Sequence, residues 1–183
     1  MVVNNKNNNV IMYFSLVCRE GKALLLDNST GIAKTLTDNN GSTTMAAIKM
    51  LANLVGTMEQ TDDTLNIVFL PRNLGGILKL DAVDSWIANG GKTEKGTQLS
   101  EEYIQFAKYI TDMRKWLGTN NLVFKIQGGN LIRNNEKAMI DAAWRAMDKV
   151  IAKKKVYTRP AVEGQRPVMP QAIQAVKTDN IEF

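Results

Sequence analysis

Residues 121–144 read NLVFKIQGGNLIRNNEKAMIDAAW. The opening nine residues join a short apolar run to two glycines, which is typical of a β-strand that ends in a turn. The segment after Asn134 and Asn135 places apolar side chains at helical spacing as far as residue 155. These side chains are Ile140, Ala143, Trp144, Met147 and Ile151. The sequence therefore predicts a strand, a glycine turn and a final helix.

The rest of the chain supplies four more predicted strands and three more helical stretches. The strands are 10–17, 22–26, 32–37 and 65–71, and the last of these is a continuous apolar run, as expected of a strand buried on both faces. The helical stretches are 43–56 with Ser42 as N-cap and Gly56 as stop, a glycine-punctuated stretch over 77–87, and 101–117 with Ser100 as N-cap. This order predicts an α/β domain with a mixed sheet flanked by helices.

Composition limits the class of protein. The chain has 183 residues, of which 44% are hydrophobic and 22% charged, as expected of one globular domain. No apolar run approaches the roughly 18 to 20 residues that span a bilayer, so we expect no membrane association. Residues 1–9 are polar and Asn-rich where a signal peptide needs an apolar stretch. We therefore expect a soluble, cytoplasmic protein.

The absence of histidine excludes whole classes of chemistry. There is no histidine and one cysteine, Cys18, so His-dependent acid–base catalysis and a Cys/His zinc site are both excluded. An enzyme with this composition would have to use carboxylates, hydroxyls, lysine or bound metal ions. We expect no cofactor.

Positive charge is concentrated at the C-terminal end. The net charge is +5, and residues 149–183 contain seven cations and three acids, or +4, which leaves +1 for the rest of the chain. We divide the chain into a polar N-terminal segment (1–9), a folded domain (10–155) and an extended, basic tail (156–183). The tail contains Pro160, Pro167 and Pro170. A basic tail on a nearly neutral domain indicates an anionic partner.

Several short fragments resemble ribonuclease H type 1 at that family's own spacing. In the family the central strand ends in T-D-S, a tryptophan follows, and a G-W-K-T loop comes next. Here the corresponding residues are Leu70-Pro71-Arg72, Trp86 and Gly90-Gly91-Lys92-Thr93, without a gap. The family's last strand runs V-x-G-H into a loop before N-E-x-A-D opens the final helix. Residues 126–129 (IQGG) and 135–139 (NEKAM) match this pattern, again without a gap, and 45–48 read MAAI, as in bacterial members.

The resemblance covers roughly residues 10–152 and implies a ribonuclease H-like fold. Its sheet would be mixed and five-stranded, with three antiparallel strands followed by parallel additions, and flanked by helices. The family cuts the RNA strand of an RNA/DNA hybrid with two magnesium ions held by four carboxylates. Those positions fall here on Ser15, Thr43, Pro71 and Met139, and the family's histidine falls on Gly129.

These replacements predict that catalysis is lost. Magnesium requires oxygen ligands, and carboxylates also neutralise its charge, whereas proline and methionine do neither. Asp141 is two residues from Met139, or about 200° around a helix, so it should point away. Glu136 lies on a similar face, but one carboxylate does not hold two metals. We therefore expect no catalytic residues and no metal site.

Basic residues are the candidates for phosphate contact. The loop NGGKTEKGTQ could use its lysines and amides on phosphates, or could be a solvated loop. The glycines before Arg133 could contact a nucleic-acid backbone, although a plain strand-to-helix turn is the better interpretation. The triple lysine at 153–155 could bind a polyanion or only complement a helix dipole. The candidates are Lys92, Lys95, Arg133, Lys153, Lys154, Lys155 and Arg159.

Three functions stay open from sequence. The leading hypothesis is a non-catalytic binder of nucleic acid, with single-stranded RNA or RNA/DNA hybrid favoured. The second is a structural or adaptor protein that forms homo-oligomers through its tail, for example through 171–176 (QAIQAV). The third is a nuclease with relocated acids, drawn from Asp27, Glu136 and Asp141. The 18 asparagines fit AT-rich coding sequence and a viral or mobile-element source.

Overall fold

The computed structural model describes residues 10–61, 63–118, 120–156 and 179–182. Its strands are β1 (Val10–Arg19), β2 (Lys22–Asp27), β3 (Ile32–Thr37), β4 (Thr64–Leu70), β5 (Leu122–Ile126) and β6 (Asp179–Glu182). Its α-helices are α1 (Thr43–Gly56), α2 (Ala82–Ala88), α3 (Glu101–Leu117) and α4 (Asn134–Val156). A 3₁₀ helix, Arg72–Leu78, follows β4 directly.

The strands form one mixed sheet in the order β5-β4-β1-β2-β3-β6. Strands β1, β2 and β3 pair antiparallel, β4 is parallel to β1, and β5 is parallel to β4. The first five strands therefore have the order 3-2-1-4-5, with helices on both faces. This confirms the predicted α/β fold class, in which three antiparallel strands are followed by parallel additions in a mixed sheet flanked by helices.

A sixth strand widens the sheet. Residues 179–182, predicted to belong to an extended tail, pair antiparallel with β3, from Ile32 opposite Glu182 to Thr35 opposite Asp179. The pairing satisfies the backbone groups of an edge strand. No periodicity in the tail predicts it, because four residues carry almost no side-chain pattern. The other tail residues, including Arg159 and 171–176, lie outside the described residues, as do 1–9.

Alternating side chains send the sheet's two faces into separate helical layers. Leu16, Val68 and Leu70 belong to the core under α1, α2 and α3. Their neighbours Val17 and Phe69 face the opposite side, where α4 packs. This period of two places α4 on one face of the sheet and the other helices on the second face.

The helix starts agree with the sequence. The Ser42 hydroxyl accepts a hydrogen bond from the Met45 amide (3.2 Å) at the start of α1, and the Ser100 hydroxyl accepts one from the Tyr103 amide (3.2 Å) at the start of α3. The predicted helical stretch 77–87 is wrong in its bounds. The chain instead forms the 3₁₀ helix through the glycine pair 75–76, and then starts α2 at Ala82.

Candidate functional site

The carboxyl ends of β1, β4 and β5 meet at one edge of the sheet, because these three strands run parallel. We call this region the strand-end edge. It comprises Cys18 at the end of β1, Pro71 and Arg72 after β4, and Gln127 and Gly128 after β5. Binding sites in mixed α/β sheets commonly lie outside such strand ends. Of the positions at which the resemblance implies carboxylates, Pro71 lies at this edge and Thr43 is bonded to the β1–β2 turn beside it. Ser15 lies four residues before the end of β1, and Met139 lies on α4.

Two of those positions carry hydroxyls that the protein uses internally. Ser15 is fully buried, and its Oγ accepts a hydrogen bond from Asn28 Nδ2 (2.8 Å). The Oγ1 of Thr43 accepts one from the Gly21 amide (2.9 Å), which ties the β1–β2 turn to the first turn of α1. A Cβ on Gly21 would lie 2.8 Å from the Gly41 carbonyl oxygen, so the turn can approach α1 only as glycine.

Pro71 and Gln127 complete the sheet together. In the parallel pairing of β1 with β4, Ser15 stands opposite Phe69. If the hydrogen-bond pattern of this pairing continued past Leu70, the amide of residue 71 would donate to the Leu16 carbonyl. Proline has no amide hydrogen to donate. Instead, Gln127 Nε2 donates to that carbonyl at 2.5 Å, with a longer contact of 3.4 Å to the Phe69 carbonyl. A side-chain amide thus replaces the missing backbone donor.

The fourth position, Met139, is half-buried against the cluster of Ile67, Phe69 and Ile140. It therefore contributes to packing between α4 and the sheet. Its thioether is a weak acceptor and no ligand for a hard cation. Asp141 is exposed.

Glu136 is committed to holding the start of α4. Its side chain is 2% exposed, and it accepts hydrogen bonds from Lys125 Nζ (2.6 Å) and from the Arg133 amide (2.8 Å). Burial raises the pKa of Glu136, but the Arg133 amide, the Lys125 ammonium and the nearby Arg133 charge outweigh it and hold this pKa below its ordinary value. Both carboxylate oxygens are therefore occupied.

These donor groups do not fit the two divalent cations of the family. Over the described ranges, no three His, Cys, Asp or Glu side chains come close enough to hold a metal ion. The residues at Ser15, Thr43, Pro71 and Met139 are neutral, and the two hydroxyls accept hydrogen bonds within the protein. The edge therefore lacks both the ligands and the negative charge that magnesium requires.

A series of hydrogen bonds connects the strand-end edge to α1. Cys18 Sγ lies 3.9 Å from Asn73 Oδ1, and Asn73 Nδ2 donates to Thr44 Oγ1 (3.0 Å). Burial raises the pKa of the Cys18 thiol, which the hydrogen bond to Asn73 only partly offsets. This thiol is therefore a structural neutral group, and it links β1 through the 3₁₀ helix to α1.

Among the predicted basic residues whose side chains the structure describes, Lys92 and Lys95 lie apart from Arg133. Lys92 and Lys95 are exposed on the loop between α2 and α3, which is closed by a hydrogen bond from the Leu99 amide to the Gly91 carbonyl (2.8 Å). Arg133 is exposed just before α4, which lies on the other face of the sheet. Lys153, Lys154 and Lys155 belong to the last turns of α4. Arg159 falls outside the described residues.

Trp86, Trp116 and Trp144 each fall on or near an apolar stripe of the sequence, which predicts core packing over a stacking surface for unpaired bases. The structure gives the three side chains different environments. Trp86 is 7% exposed and packs against Tyr103, as predicted. Trp144 is half-buried, and the Arg19 guanidinium lies 5.1 Å from its ring centroid. Trp116 is 52% exposed, so the prediction is wrong there. It neighbours the buried Leu117 but lies about 100° away from it around α3.

Sequence patterns alone miss the main cation of the strand-end edge. Arg72 is exposed, and it forms no ion pair with any residue in the described part of the chain. A Cβ on Gly128 would lie 2.8 Å from Arg72 Nη2, so the guanidinium rests against the Gly128 backbone. The signal for Arg72 is its position directly after Pro71, at the end of the central strand. By contrast, Arg19 is paired with Asp148 at 2.7 Å.

None of the described helices is both long enough and apolar enough to cross a membrane.

Comparison with known proteins gives similarity in fold and none in sequence. No protein family model matches the chain, and no curated protein matches its sequence. The structure of the foamy viral protease-reverse transcriptase in complex with RNA/DNA hybrid aligns over 79% of this chain, with a TM-score of 0.46 and 9% identity. The chain spans 22% of that protein.

Two smaller proteins align over nearly their full length. The solution structure of the PFV RNase H domain aligns over 75% of this chain and 93% of that one, with a TM-score of 0.39 and 11% identity. An RNase H1 isolated from compost by a metagenomic approach aligns over 79% and 99%, with a TM-score of 0.35 and 14% identity. These likenesses concern the fold alone.

Proposed function

We propose that this protein is a non-catalytic ribonuclease H-like domain that binds nucleic acid, favouring single-stranded RNA or RNA/DNA hybrid. One observation carries the proposal. The four positions where the resemblance implies metal-binding carboxylates hold two hydroxyls bonded within the protein, a proline and a half-buried methionine. These four positions carry no negative charge, so they neither attract magnesium nor repel a phosphate backbone.

Exposed cations supply the attraction. Lys92, Lys95 and Arg133 are exposed and form no ion pair with another described residue. Cations of this kind gain affinity by releasing counterions from a polyanion, whatever its sequence. The preference for RNA follows from the sequence resemblance to a family that acts on the RNA strand of a hybrid.

Fluorescence anisotropy with labelled single-stranded RNA, RNA/DNA hybrid and duplex DNA tests the proposal. We expect binding at about 50 mM salt that weakens steeply by about 200 mM, and equal binding with magnesium or EDTA. Replacing Lys153, Lys154 and Lys155 with Glu should weaken it further. Failure to bind any of the three nucleic acids at low salt would refute the proposal.

A nuclease with relocated acids finds less support in the geometry. Asp27 accepts hydrogen bonds from the Ser29 and Thr30 amides (2.8 and 3.3 Å) in the β2–β3 turn, at the opposite end of the sheet from the strand-end edge. Glu136 is occupied by Lys125. Hybrid cleavage with magnesium or manganese, abolished by Asp27→Asn, Glu136→Gln or Asp141→Asn, would replace our proposal.

The second candidate is assembly through the tail. The observation in its favour is β6, since a strand that follows a long connection and pairs with an edge strand can also pair with the same edge of a second copy. Light scattering of the full chain and of a chain truncated after residue 156 separates the candidates. A concentration-dependent oligomer that truncation abolishes, in a protein that retains no nucleic acid, would favour assembly.

A further inference from the structure

A cavity of about 500 Å³ lies between the β5–α4 loop and the first turns of α4. Its lining residues are Gly128, Gly129, Asn130, Ile132, Lys137, Ile140 and Asp141. We propose that this cavity, together with the adjoining Arg72, binds a phosphodiester of a nucleic-acid strand directly, without a metal ion. The inference rests on the proposed function and gives it a specific site.

Arg72 is positioned in advance for this contact. Pro71 fixes the backbone before it (φ −66°, ψ 152°), and the 3₁₀ helix starts at Arg72 itself. The guanidinium lies against the backbone of Gly128, which has φ of +75° and lines the cavity. The planar guanidinium presents several N–H donors in a geometry that matches phosphate oxygens. Because no described carboxylate occupies Arg72, these donors are available to a ligand.

The glycine loop adds backbone donors beside the guanidinium. Gly128, Gly129 and Asn130 are all exposed. The Gly129 amide donates to the Ile126 carbonyl, but the amides of Gly128 and Asn130 reach no acceptor within the described ranges. Successive amides around a residue of positive φ form a concave donor surface that suits an anion.

The wall of the cavity carries one cation, Lys137, and one carboxylate, Asp141. Lys137 is the second cation of the proposed site after Arg72, and it is exposed and unpaired among the described residues. Asp141, one helical turn further along α4, also lines the cavity and would repel a phosphate close to it. The phosphate therefore belongs beside Arg72 and Gly128, with a neutral donor of the strand, such as a sugar hydroxyl, toward Asp141.

The size of the cavity agrees with one unit of a strand. Pockets for small ligands measure about 300 to 1,000 Å³, and this one falls within that range. Ile132 and Ile140 supply an apolar wall against which a sugar or base can pack. The hydrogen-bond donors at one end of the cavity suit a phosphate, and the apolar wall at the other end suits a sugar or base. Together they favour a nucleotide unit over a bare anion.

Charge removal at Arg72 tests the site. Single-stranded RNA binding is measured in EDTA over a salt series for the wild type, for Arg72→Gln and for the control Lys79→Gln, which removes an exposed cation just beyond the other end of the 3₁₀ helix. We expect Arg72→Gln to weaken binding about tenfold. The slope of log K against log salt should fall in magnitude by about 0.7, and Arg72→Lys should be intermediate.

Amide chemical shifts provide the second measurement. In ¹⁵N-labelled protein, adding the RNA in EDTA should shift the Gly128 and Asn130 signals in the wild type, and much less in Arg72→Gln. Inorganic phosphate and a nucleoside monophosphate serve as the comparison ligands. If either one shifts these signals at the same concentration as the strand, the site is a free-anion or nucleotide pocket and the inference is overturned.

The outcomes separate this inference from the proposed function. If RNA binds and Arg72→Gln behaves like Lys79→Gln, the site is wrong while nucleic-acid binding stands. If the wild type binds no nucleic acid, both are wrong.

Discussion

Replacing Gln127 with Met tests whether its side chain completes the sheet where Pro71 cannot. Methionine keeps the length of the side chain but loses the amide that donates to the Leu16 carbonyl. Leu16 is fully buried, so its carbonyl would lose its partner without gaining water. An unsatisfied buried acceptor costs about 1 to 3 kcal/mol. We expect the lower half of that range, because Gln127 is only half-buried.

Urea unfolding followed by circular dichroism measures this cost. With an m-value of about 2 kcal/mol per M, a loss of 1 to 2 kcal/mol lowers the unfolding midpoint by about 0.5 to 1 M. Gln105→Met is the matched control, because Gln105 is exposed on α3. It should leave the free energy of unfolding within about 0.5 kcal/mol of the wild type.

A double-mutant cycle isolates the mechanism. Pro71→Ala restores an amide that can donate to the Leu16 carbonyl, so Gln127→Met should cost less in that background. If Gln127→Met costs the same with Pro71 and with alanine at that position, the proposed replacement of a backbone donor is wrong. A cost no larger than that of Gln105→Met would refute it as well.

Four other substitutions have defined outcomes. Glu136→Gln should destabilise the fold by about 1 to 3 kcal/mol at pH 7. The folded-state pKa of Glu136 is lowered from its ordinary value of 4.5, so this loss of stability should be complete above pH 4.5. Unfolding curves at lower pH should show the difference vanish as the carboxylate is protonated. Gly128→Ala and Gly96→Ala, both at positive φ, should each cost about 1 kcal/mol, but only Gly128→Ala should weaken RNA binding in anisotropy. Met139→Asp should lower the melting temperature by placing a carboxylate against apolar side chains, and magnesium should not restore it in calorimetry.

The parts of the fold that the sequence predicts well depend on local patterns. Ser42 and Ser100 cap their helices because a hydroxyl three residues before a free amide is sufficient for the bond. The apolar stripe of α4 from Ile140 to Ile151 packs on the sheet because its spacing matches the helix period. Strand β6 is missed because its pairing uses backbone groups, which every residue carries.

The candidate site divides in the same way. That Pro71 and Met139 are not acids follows from residue identity, and their assignment to metal-binding positions rests on the resemblance alone. The bond from Gln127 to Leu16 joins residues 111 positions apart, and the contact of Arg72 with Gly128 joins the ends of two different strands. No local pattern encodes such pairs, because strand order alone brings them together.

The strand-end edge differs from a metal site in its packing and hydrogen bonds as well as in its lack of ligands. Pro71 removes a backbone donor, and Gln127 supplies one at the same carbonyl. Met139 fills space between α4 and the sheet, where a carboxylate would lie against Ile67 and Phe69. Pro71 and Met139 are thus each matched to their neighbours, so placing an acid at one of these positions would break a contact without creating a metal site. The phosphate contact that we propose at this edge therefore relies on protein cations and amides, and the fold places the exposed Arg72 there.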